Sequence, residues 1–174
     1  MNADSLNAIE VIHTLGPAGT NCEKAANEWY KRQGRTGEVK LYQTLEKALE
    51  QMPKNPSHAL LGCIVYPELH TLVFSNLKTL TLSDCFIMHT FNMVLAARNE
   101  GPVSSVATHP APQLLVSTDY KKSIVTSNSE AAIQCANGLV DACITTLPSA
   151  KNNNLHIKED FGEVPMGFSI HTVK

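Results

Sequence analysis

Residues 11–26 constrain the fold more than any other stretch of the chain. Their sequence, VIHTLGPAGTNCEKAA, is typical of a short apolar strand, a Gly-Pro turn and the first turns of a helix. Gly16 and Gly19 allow a sharp turn and leave no side chain in the path of a ligand. Either Thr20 or Asn21 is placed to cap the helix. Such a turn directs unpaired backbone N–H groups outward and favours an anion site, although an ordinary capped helix is the commoner outcome.

The helix after this turn has one apolar face, which predicts packing on the preceding strand. The strand is expected at about 10–15 and the helix at about 21–33. Glu23 lies in the first turn, where a negative charge suits the helix dipole. The residues predicted to be buried recur at helical spacing and are Cys22, Ala25, Ala26 and Trp29.

The rest of the chain repeats the alternation of short strands and helices. Further strands are predicted at about 39–42, 59–66, 103–107, 123–126, 140–145, 155–157 and 167–172. Further helices are predicted after Thr44, over 71–77, from His109-Pro110 and after Ser127. This alternation predicts an α/β fold with mostly parallel sheets.

Two stretches are read as connections rather than packed elements. Residues 80–98 form the longest apolar region and are interpreted as an extended crossing between two lobes. A buried helix is the competing interpretation, because an apolar run alone does not separate the two. Residues 1–8 are predicted to form a loose tail.

Composition limits the class of partner. The 174 residues suffice for one domain or for two small lobes, and 43% hydrophobic with 17% charged residues is a normal globular balance. The net charge is −2 and no basic run is interleaved with aromatic residues, so nucleic acid is not expected. No apolar run reaches membrane-spanning length, and the N-terminus lacks a secretion signal. Five cysteines without a C-x-x-C pair favour free thiols in a reducing cytoplasm.

Two strand-to-helix turns are the first candidates for chemistry. One spans residues 16–22, and the other contains Ser127, Asn128 and Ser129. If two lobes face each other across a cleft, these turns make two anion sites that suit a small substrate with two carboxylates. Two routine helix caps are the competing interpretation, and spacing alone favours them.

Histidines are the candidates for proton transfer. His109 directly follows a predicted strand and therefore lies at the strand's carboxyl end, where ligands bind in open α/β sheets, although a surface role is equally common. His89 lies in an apolar run that favours interior packing, and His70 follows a turn that would border a cleft. No histidine pair has metal-ligand spacing and no G-x-G-x-x-G occurs, so neither a metal nor a dinucleotide cofactor is expected.

Five segments, in the same order, resemble motifs of the catalytic domain of prephenate dehydratases. They are Leu15–Ala26, Val65–Glu68, Ile87–Phe91, Thr108–Pro110 and Ser127–Ala132. The resemblance implies a two-lobed α/β domain like a periplasmic binding protein, with its active site in the cleft. It places lobe one at about 8–83 plus 158–174 and lobe two at about 84–157, without the regulatory ligand-binding domain. It also suggests a homodimer.

The chain departs from the dehydratases where their chemistry is carried out. The family's T-R-F segment is replaced by Met166-Gly167-Phe168, so the Thr held to assist loss of the ring hydroxyl is missing. The family's F-S is Asn21-Cys22 here, and the N-S after its V-P-x-E is Leu69-His70. The ending Val164–Ser169 is instead similar to that of prephenate decarboxylases of the bacilysin and related antibiotic pathways.

This resemblance implies decarboxylation of prephenate without aromatisation, by a cofactor-independent carboxy-lyase. Hydroxide is a poor leaving group that needs a proton donor, and methionine supplies none. The ring hydroxyl would then be retained in a dihydro-4-hydroxyphenylpyruvate. Two alternatives stay open, namely a dehydratase with an altered site and a non-catalytic module that binds small anions.

The resemblance and the two turns together give the candidate site residues. The proton donor is left open among His109, His89, His70 and water. The substrate-binding candidates are Gly16, Gly19, Thr20, Asn21, Cys22, Glu68, Ser127, Asn128, Ser129, Met166 and Phe168.

Overall fold

The chain folds into two α/β units, each built on its own five-stranded sheet. A computed structural model describes residues 6–174. The first unit ends at His89 and resumes at Pro165, and the second runs from Thr90 to Val164. The chain therefore passes from the first unit to the second after His89 and returns after Val164, in both cases later than the predicted bounds near 83 and 157. The reason is that the fourth strand continues to His89, which pairs with Pro165 in the sheet of the first unit.

Within residues 9–89 and 165–174, the first unit contains five strands and three helices. The strands are β1 (Val11–Leu15), β2 (Glu38–Tyr42), β3 (His58–Cys63), β4 (Leu80–His89) and β10 (Pro165–Val173). The helices are α1 (Asn21–Arg32), α2 (Leu45–Gln51) and α3 (Leu69–Ser75). The strand order is β2-β1-β3-β10-β4.

The second unit has a matching set of elements. Its strands are β5 (Met93–Ala97), β6 (Ser105–Thr108), β7 (Lys121–Ile124), β8 (Ala142–Thr146) and β9 (His156–Gly162), in the order β7-β6-β8-β5-β9. Its helices are α4 (Asn128–Ala136), α5 (Leu147–Asn152) and a short 3-10 helix (Gln113–Leu115). Within residues 6–174, no helix is both long enough and apolar enough to cross a bilayer.

Strand direction is mixed in both sheets, so the expectation of mostly parallel sheets is wrong. In the first unit β1 pairs in parallel with β2 and β3, whereas β10 pairs antiparallel with β3 and β4. In the second unit β6 is parallel to β7 and β8, and β5 is antiparallel to β8 and β9. The antiparallel pairs involve the strands next to the two points where the chain passes between the units. These strands are β4 and β10 in the first sheet and β5 and β9 in the second.

Most predicted elements are confirmed, with two differences, at His109 and at α5. Residues 80–98 form β4 and β5, so the extended interpretation is confirmed and the buried helix is wrong. The helix predicted from His109 is replaced by turns and the 3-10 helix, where Pro110 and Pro112 remove two backbone donors. Helix α5 was not predicted, although Thr146 caps it and a proline occupies its first turn.

The two units have different cores. In the first, the predicted apolar face of α1 is buried, and Trp29, which is 1% exposed, donates from Nε1 to Asp84 Oδ2 over 2.8 Å. In the second, small side chains dominate the core cluster around α4. Its residues are Val94, Ala96, Ala107, Val125, Ala131, Ala132, Cys135, Val140, Cys143, Ala150 and Leu155. Close packing of α4 on its sheet therefore depends on small residues.

The predicted tail lies only partly within the described residues. Residues 1–5 are outside them. Leu6 packs against the first core, and its carbonyl accepts hydrogen bonds from the Ile9 N–H and from the Arg35 guanidinium. The segment from Leu6 onward is therefore tied to the first unit rather than loose.

Candidate active site

One edge of the first sheet collects several of the predicted site residues. Strands β1, β3 and β4 end there and β10 begins there, since β10 is antiparallel to both of its neighbours. Pro165 pairs with His89 and Met166 pairs with Met88 at this edge. We call residues 16–20, His89, Pro165 and Met166 the first-unit edge. Ligands of open α/β sheets bind at the carboxyl ends of strands, so this edge is a candidate site.

The turn into α1 forms a reciprocal helix cap. The Glu23 N–H donates to Thr20 Oγ1 over 3.4 Å, and the Gly19 N–H donates to Glu23 Oε2 over 2.6 Å. The peptide bond between Gly16 and Pro17 is cis. A side chain at position 16 would place its Cβ 3.0 Å from the Leu41 Cβ, so glycine fits this close approach. The Gly19 donor is therefore engaged by the chain's own carboxylate, which matches the helix-cap interpretation.

Two predicted substrate-binding residues of the first unit, Cys22 and Phe168, are buried in its core. Cys22 is 8% exposed, and its burial raises the pKa of the thiol to about 12. Phe168 is 1% exposed and stacks on Phe86 with ring centroids 5.7 Å apart. Both side chains belong to the same core cluster, and their contact with substrate stays a prediction. Met166 is only partly buried against the same core and stays a predicted wall residue.

Glu68 and His70 lie around α3. Glu68 is exposed at the start of α3 and lines a groove of about 700 Å³ between α2 and α3. The exposed His70 ring contacts Thr71 Oγ1 through Nε2 at 3.2 Å. Their roles in substrate binding and proton transfer therefore stay predictions, located at the α3 side of the first unit.

A lysine of α1, Lys24, lies beside the end of β4, and the sequence interpretation did not include it. His89 is exposed rather than packed in the interior, so that local expectation is wrong. The Lys24 ammonium donates to the His89 carbonyl with an Nζ–O distance of 2.7 Å. The turn over residues 16–22 contains no cationic side chain of its own. The available signal was helical spacing, because position 24 lies one turn beyond the cap at Thr20.

The second unit has a corresponding edge, formed by the carboxyl ends of β6, β7 and β8 and the start of β5. We call His109, residues 126–129, Met93 and Thr146 the second-unit edge. The Glu130 N–H donates to Ser127 Oγ over 3.0 Å. The Glu130 carboxylate accepts from the Thr126 hydroxyl and N–H over 2.5 and 2.9 Å, and these bonds lower its pKa. The start of α4 is thus a second reciprocal cap.

Asn128 and Ser129 have different environments behind this cap. Ser129 is 7% exposed, and its Oγ lies 3.2 Å from Ser149 Oγ, so it belongs to a buried hydroxyl network rather than to a ligand surface. The Asn128 carbonyl accepts from Thr145 Oγ1 over 2.6 Å. Its side-chain Oδ1 is buried and has no hydrogen-bond partner among the described residues. The Oδ1 of Asn128 can therefore still accept a hydrogen bond at the second-unit edge.

One hydrogen bond assigns the tautomer of the neutral His109 ring. It is half-buried directly after β6, and burial lowers the pKa of its ring. The Ala111 N–H donates to His109 Nδ1 over 3.2 Å, which assigns Nδ1 as the acceptor. In the neutral ring, Nε2 then carries the proton. The location at a strand's carboxyl end matches the sequence prediction, and its role in proton transfer stays a prediction.

A histidine pair lies away from both edges. His13 is 1% exposed, with Nδ1 2.8 Å from the Tyr42 hydroxyl and Nε2 2.9 Å from His58 Nδ1. Burial, and then the charges of His58 and Lys40, lower its pKa to about 4. The His13 ring is therefore neutral at pH 7. No group of three His, Cys, Asp or Glu side chains within residues 6–174 is arranged to hold a metal ion.

The fold is the two-unit α/β fold of prephenate dehydratase-like and periplasmic-binding-protein-like domains, so the predicted fold class is confirmed. The prephenate dehydratase of Arthrobacter aurescens, solved with L-Phe, superposes with a TM-score of 0.73 at 17% identity. The match covers 94% of this chain and 60% of the dehydratase chain. At this identity the likeness concerns the fold alone.

Curated relatives with similar sequences carry the name prephenate decarboxylase. The protein of Bacillus subtilis (strain 168) is 26% identical over 183 residues, covering 96% of this chain and 88% of the relative. The protein of Planktothrix agardhii (strain NIVA-CYA 126/8) is 29% identical over 177 residues, covering 92% and 86%. No family model matches the chain. The predicted resemblance to dehydratase-like proteins, and among them to prephenate decarboxylases, is confirmed.

Proposed function

We propose that this protein decarboxylates prephenate without forming an aromatic ring. The observation that carries the proposal is the similarity to proteins named prephenate decarboxylase over nearly the whole chain. A dehydratase with an altered site and a non-catalytic anion-binding module remain the alternatives, and no feature of either edge favours them.

The residue at position 166 gives the proposal a chemical basis. Met166 lies at the first-unit edge beside Met88, at the position that corresponds to the Thr of the dehydratase motif. A thioether cannot protonate a departing hydroxide, so loss of the ring hydroxyl is disfavoured. An apolar wall also disfavours a carboxylate relative to neutral carbon dioxide. The expected outcome is loss of carbon dioxide with retention of the alcohol.

The proposed step balances without an external reagent. The bond between the ring and its carboxylate carbon breaks, carbon dioxide leaves, and the electron pair moves into the diene. A proton then forms a new C–H bond at a ring carbon, and the hydroxyl stays in place. The proton donor stays open among His109, His89, His70 and water, and a histidine would donate from its protonated imidazolium form, because the neutral ring is a very weak acid.

The finer assignments follow from the same reaction. The substrate's own conjugated system accepts the electron pair, so we propose a cofactor-independent carboxy-lyase. The five cysteines are free thiols, which supports a reducing cytoplasm. A product that retains its alcohol suits antibiotic pathways such as that of bacilysin, and the dehydratase resemblance supports a homodimer.

The decisive experiment incubates the protein with prephenate and follows the products by ultraviolet absorbance and mass. We expect a product that has lost carbon dioxide and kept its hydroxyl. Phenylpyruvate would identify a dehydratase instead. A ligand-dependent thermal shift without any turnover would identify a binding module and contradict the proposal.

A pair of substitutions tests position 166 itself. We expect Met166→Thr to form some aromatic product because it restores a hydroxyl at the wall. Met166→Leu is the matched control, since it keeps the wall apolar at similar volume and should keep the non-aromatic product. Identical product ratios in both variants would contradict the role of Met166.

A further inference from the structure

We propose that the second-unit edge binds the ring alcohol of prephenate, which donates a hydrogen bond to the side-chain Oδ1 of Asn128. This inference rests on the proposed function and names the substrate group that this edge recognises. It begins from an unsatisfied acceptor, because Oδ1 is buried and has no hydrogen-bond partner among the described residues. A buried acceptor without a partner costs free energy, so a ligand that brings a donor to this position binds favourably.

Two contacts define the position of Asn128 and the orientation of its amide. The backbone carbonyl accepts from Thr145 Oγ1 over 2.6 Å, and Thr145 is fully buried in β8, so the sheet holds the first residue of α4 in place. The side-chain Nδ2 lies 4.0 Å from Met93 Sδ, a weak acceptor, which assigns Oδ1 to the opposite side of the amide. Asn128 is only half-buried and the terminal torsion of asparagine is broad, so a modest rotation turns Oδ1 towards a ligand.

The charges around this acceptor favour a neutral donor over a carboxylate. The Glu130 carboxylate already lies at the start of α4, where it accepts from the N–H and the hydroxyl of Thr126. The residues that define the second-unit edge include no lysine or arginine. A substrate carboxylate at Asn128 would therefore meet a like charge and an acceptor, with no cation to offset them. The alcohol is uncharged, and it is the O–H donor that prephenate offers at neutral pH.

The same hydrogen bond opposes aromatisation. Loss of the alcohol requires a proton to be added to its oxygen, because hydroxide is a poor leaving group. An alcohol that donates its proton to Oδ1 of Asn128 gains negative charge on its oxygen and becomes a poorer leaving group still. Recognition of the alcohol by an acceptor therefore agrees with loss of carbon dioxide and retention of the hydroxyl.

Steady-state kinetics with prephenate at pH 8 test the assignment in three variants. Asn128→Leu removes the acceptor at similar volume, whereas Asn128→Asp keeps an acceptor, adds a negative charge and suits the first turn of a helix. Asn137→Asp is the matched control, because Asn137 is exposed at the other end of α4. We expect KM to rise roughly 3- to 10-fold in Asn128→Leu, the value of one neutral hydrogen bond. In Asn128→Asp and in the control, KM should stay within about twofold of the wild type.

The aspartate variant separates the alcohol from a carboxylate as the bound group. If this edge held a carboxylate, the added charge would repel it and raise KM more than leucine does. A KM in Asn128→Asp equal to or above that of Asn128→Leu therefore overturns the inference, and so does an unchanged KM in Asn128→Leu. In either case wild-type turnover still upholds the proposed function. If Asn128→Leu does not fold, a raised KM in Asn128→Asp alone overturns the inference. If the wild type does not convert prephenate, both proposals fail.

Discussion

Helices α1 and α4, in different units, begin with the same pattern of capping hydrogen bonds. Each has a hydroxyl that accepts from the N–H three residues later, and a glutamate that accepts from the N–H before the cap. The capping residues are Thr20 with Glu23 and Ser127 with Glu130. Because the same cap occurs in both, the motif specifies where a helix begins and does not by itself make an anion site. Differences between the two regions must come from the side chains around the caps.

Those side chains differ in size and charge. Behind the first cap, Trp29 fills the core and Lys24 reaches the end of β4. Behind the second cap, Ala131 and Ala132 pack against a sheet of small residues. Packing in the first region therefore depends on one large side chain. Packing in the second depends on the close approach of α4 to its sheet. Substitutions that shorten a side chain should therefore cost more stability in the first region than in the second.

The largest expected effect is at Trp29. Trp29→Ala should lower the free energy of unfolding by about 3–5 kcal/mol, because it leaves a cavity and orphans the Asp84 carboxylate that the indole N–H contacts. Ala132→Gly in α4 should cost only about 1 kcal/mol. Urea unfolding followed by circular dichroism measures both. Equal losses in the two variants would contradict the contrast between the cores.

The next effect is the pH dependence that His13 contributes in the first unit. The pKa of His13 is lowered to about 4, so the unfolded chain binds a proton more readily below the ordinary value of 6.5. The contribution is fully present above 6.5 and is lost as the pH falls toward 4. The loss should approach about 3 kcal/mol, and Trp29 fluorescence should report it because this is the chain's single tryptophan.

His13→Gln is the variant that isolates this effect. It removes the titrating ring that faces Tyr42, Lys40 and His58, so its stability should fall less between pH 7 and 4. A parallel pH profile in the variant and the wild type would show that another group causes the loss. His109→Gln, in the second unit, should leave the fluorescence transition unchanged.

Local pattern was sufficient to predict most elements of this fold. Hydrophobic period and cap residues located α1 and α4 nearly to the residue, because both signals lie within a few positions of each helix start. The order of strands in the sheets was beyond this reasoning. Nothing local indicates that β10 inserts between β3 and β4, since pairing depends on contacts distant in sequence.

The orientation of the candidate side chains was harder to predict, for a related reason. The motif resemblance names segments and does not tell which side chain in each segment faces the core. Cys22, Ser129 and Phe168 occupy motif positions and are buried, whereas Lys24 occupies a position that the motif leaves open. Facing direction depends on the packing of α1 and α4 against their sheets, which a motif does not encode.

The smallest expected effect compares the two capping glutamates directly. Glu130 accepts two hydrogen bonds from Thr126 and Glu23 accepts one from Gly19, so Glu130→Ala should cost about 1–2 kcal/mol and Glu23→Ala about half of that. Glutamine at each position is the matched control, because it keeps an acceptor and removes the charge. The lowered pKa of Glu130 means that its contribution is present above the ordinary carboxyl value and is lost in stronger acid. Urea titrations at pH 7 measure both variants, and a larger loss for Glu23→Ala would show that the first cap is the stronger of the two.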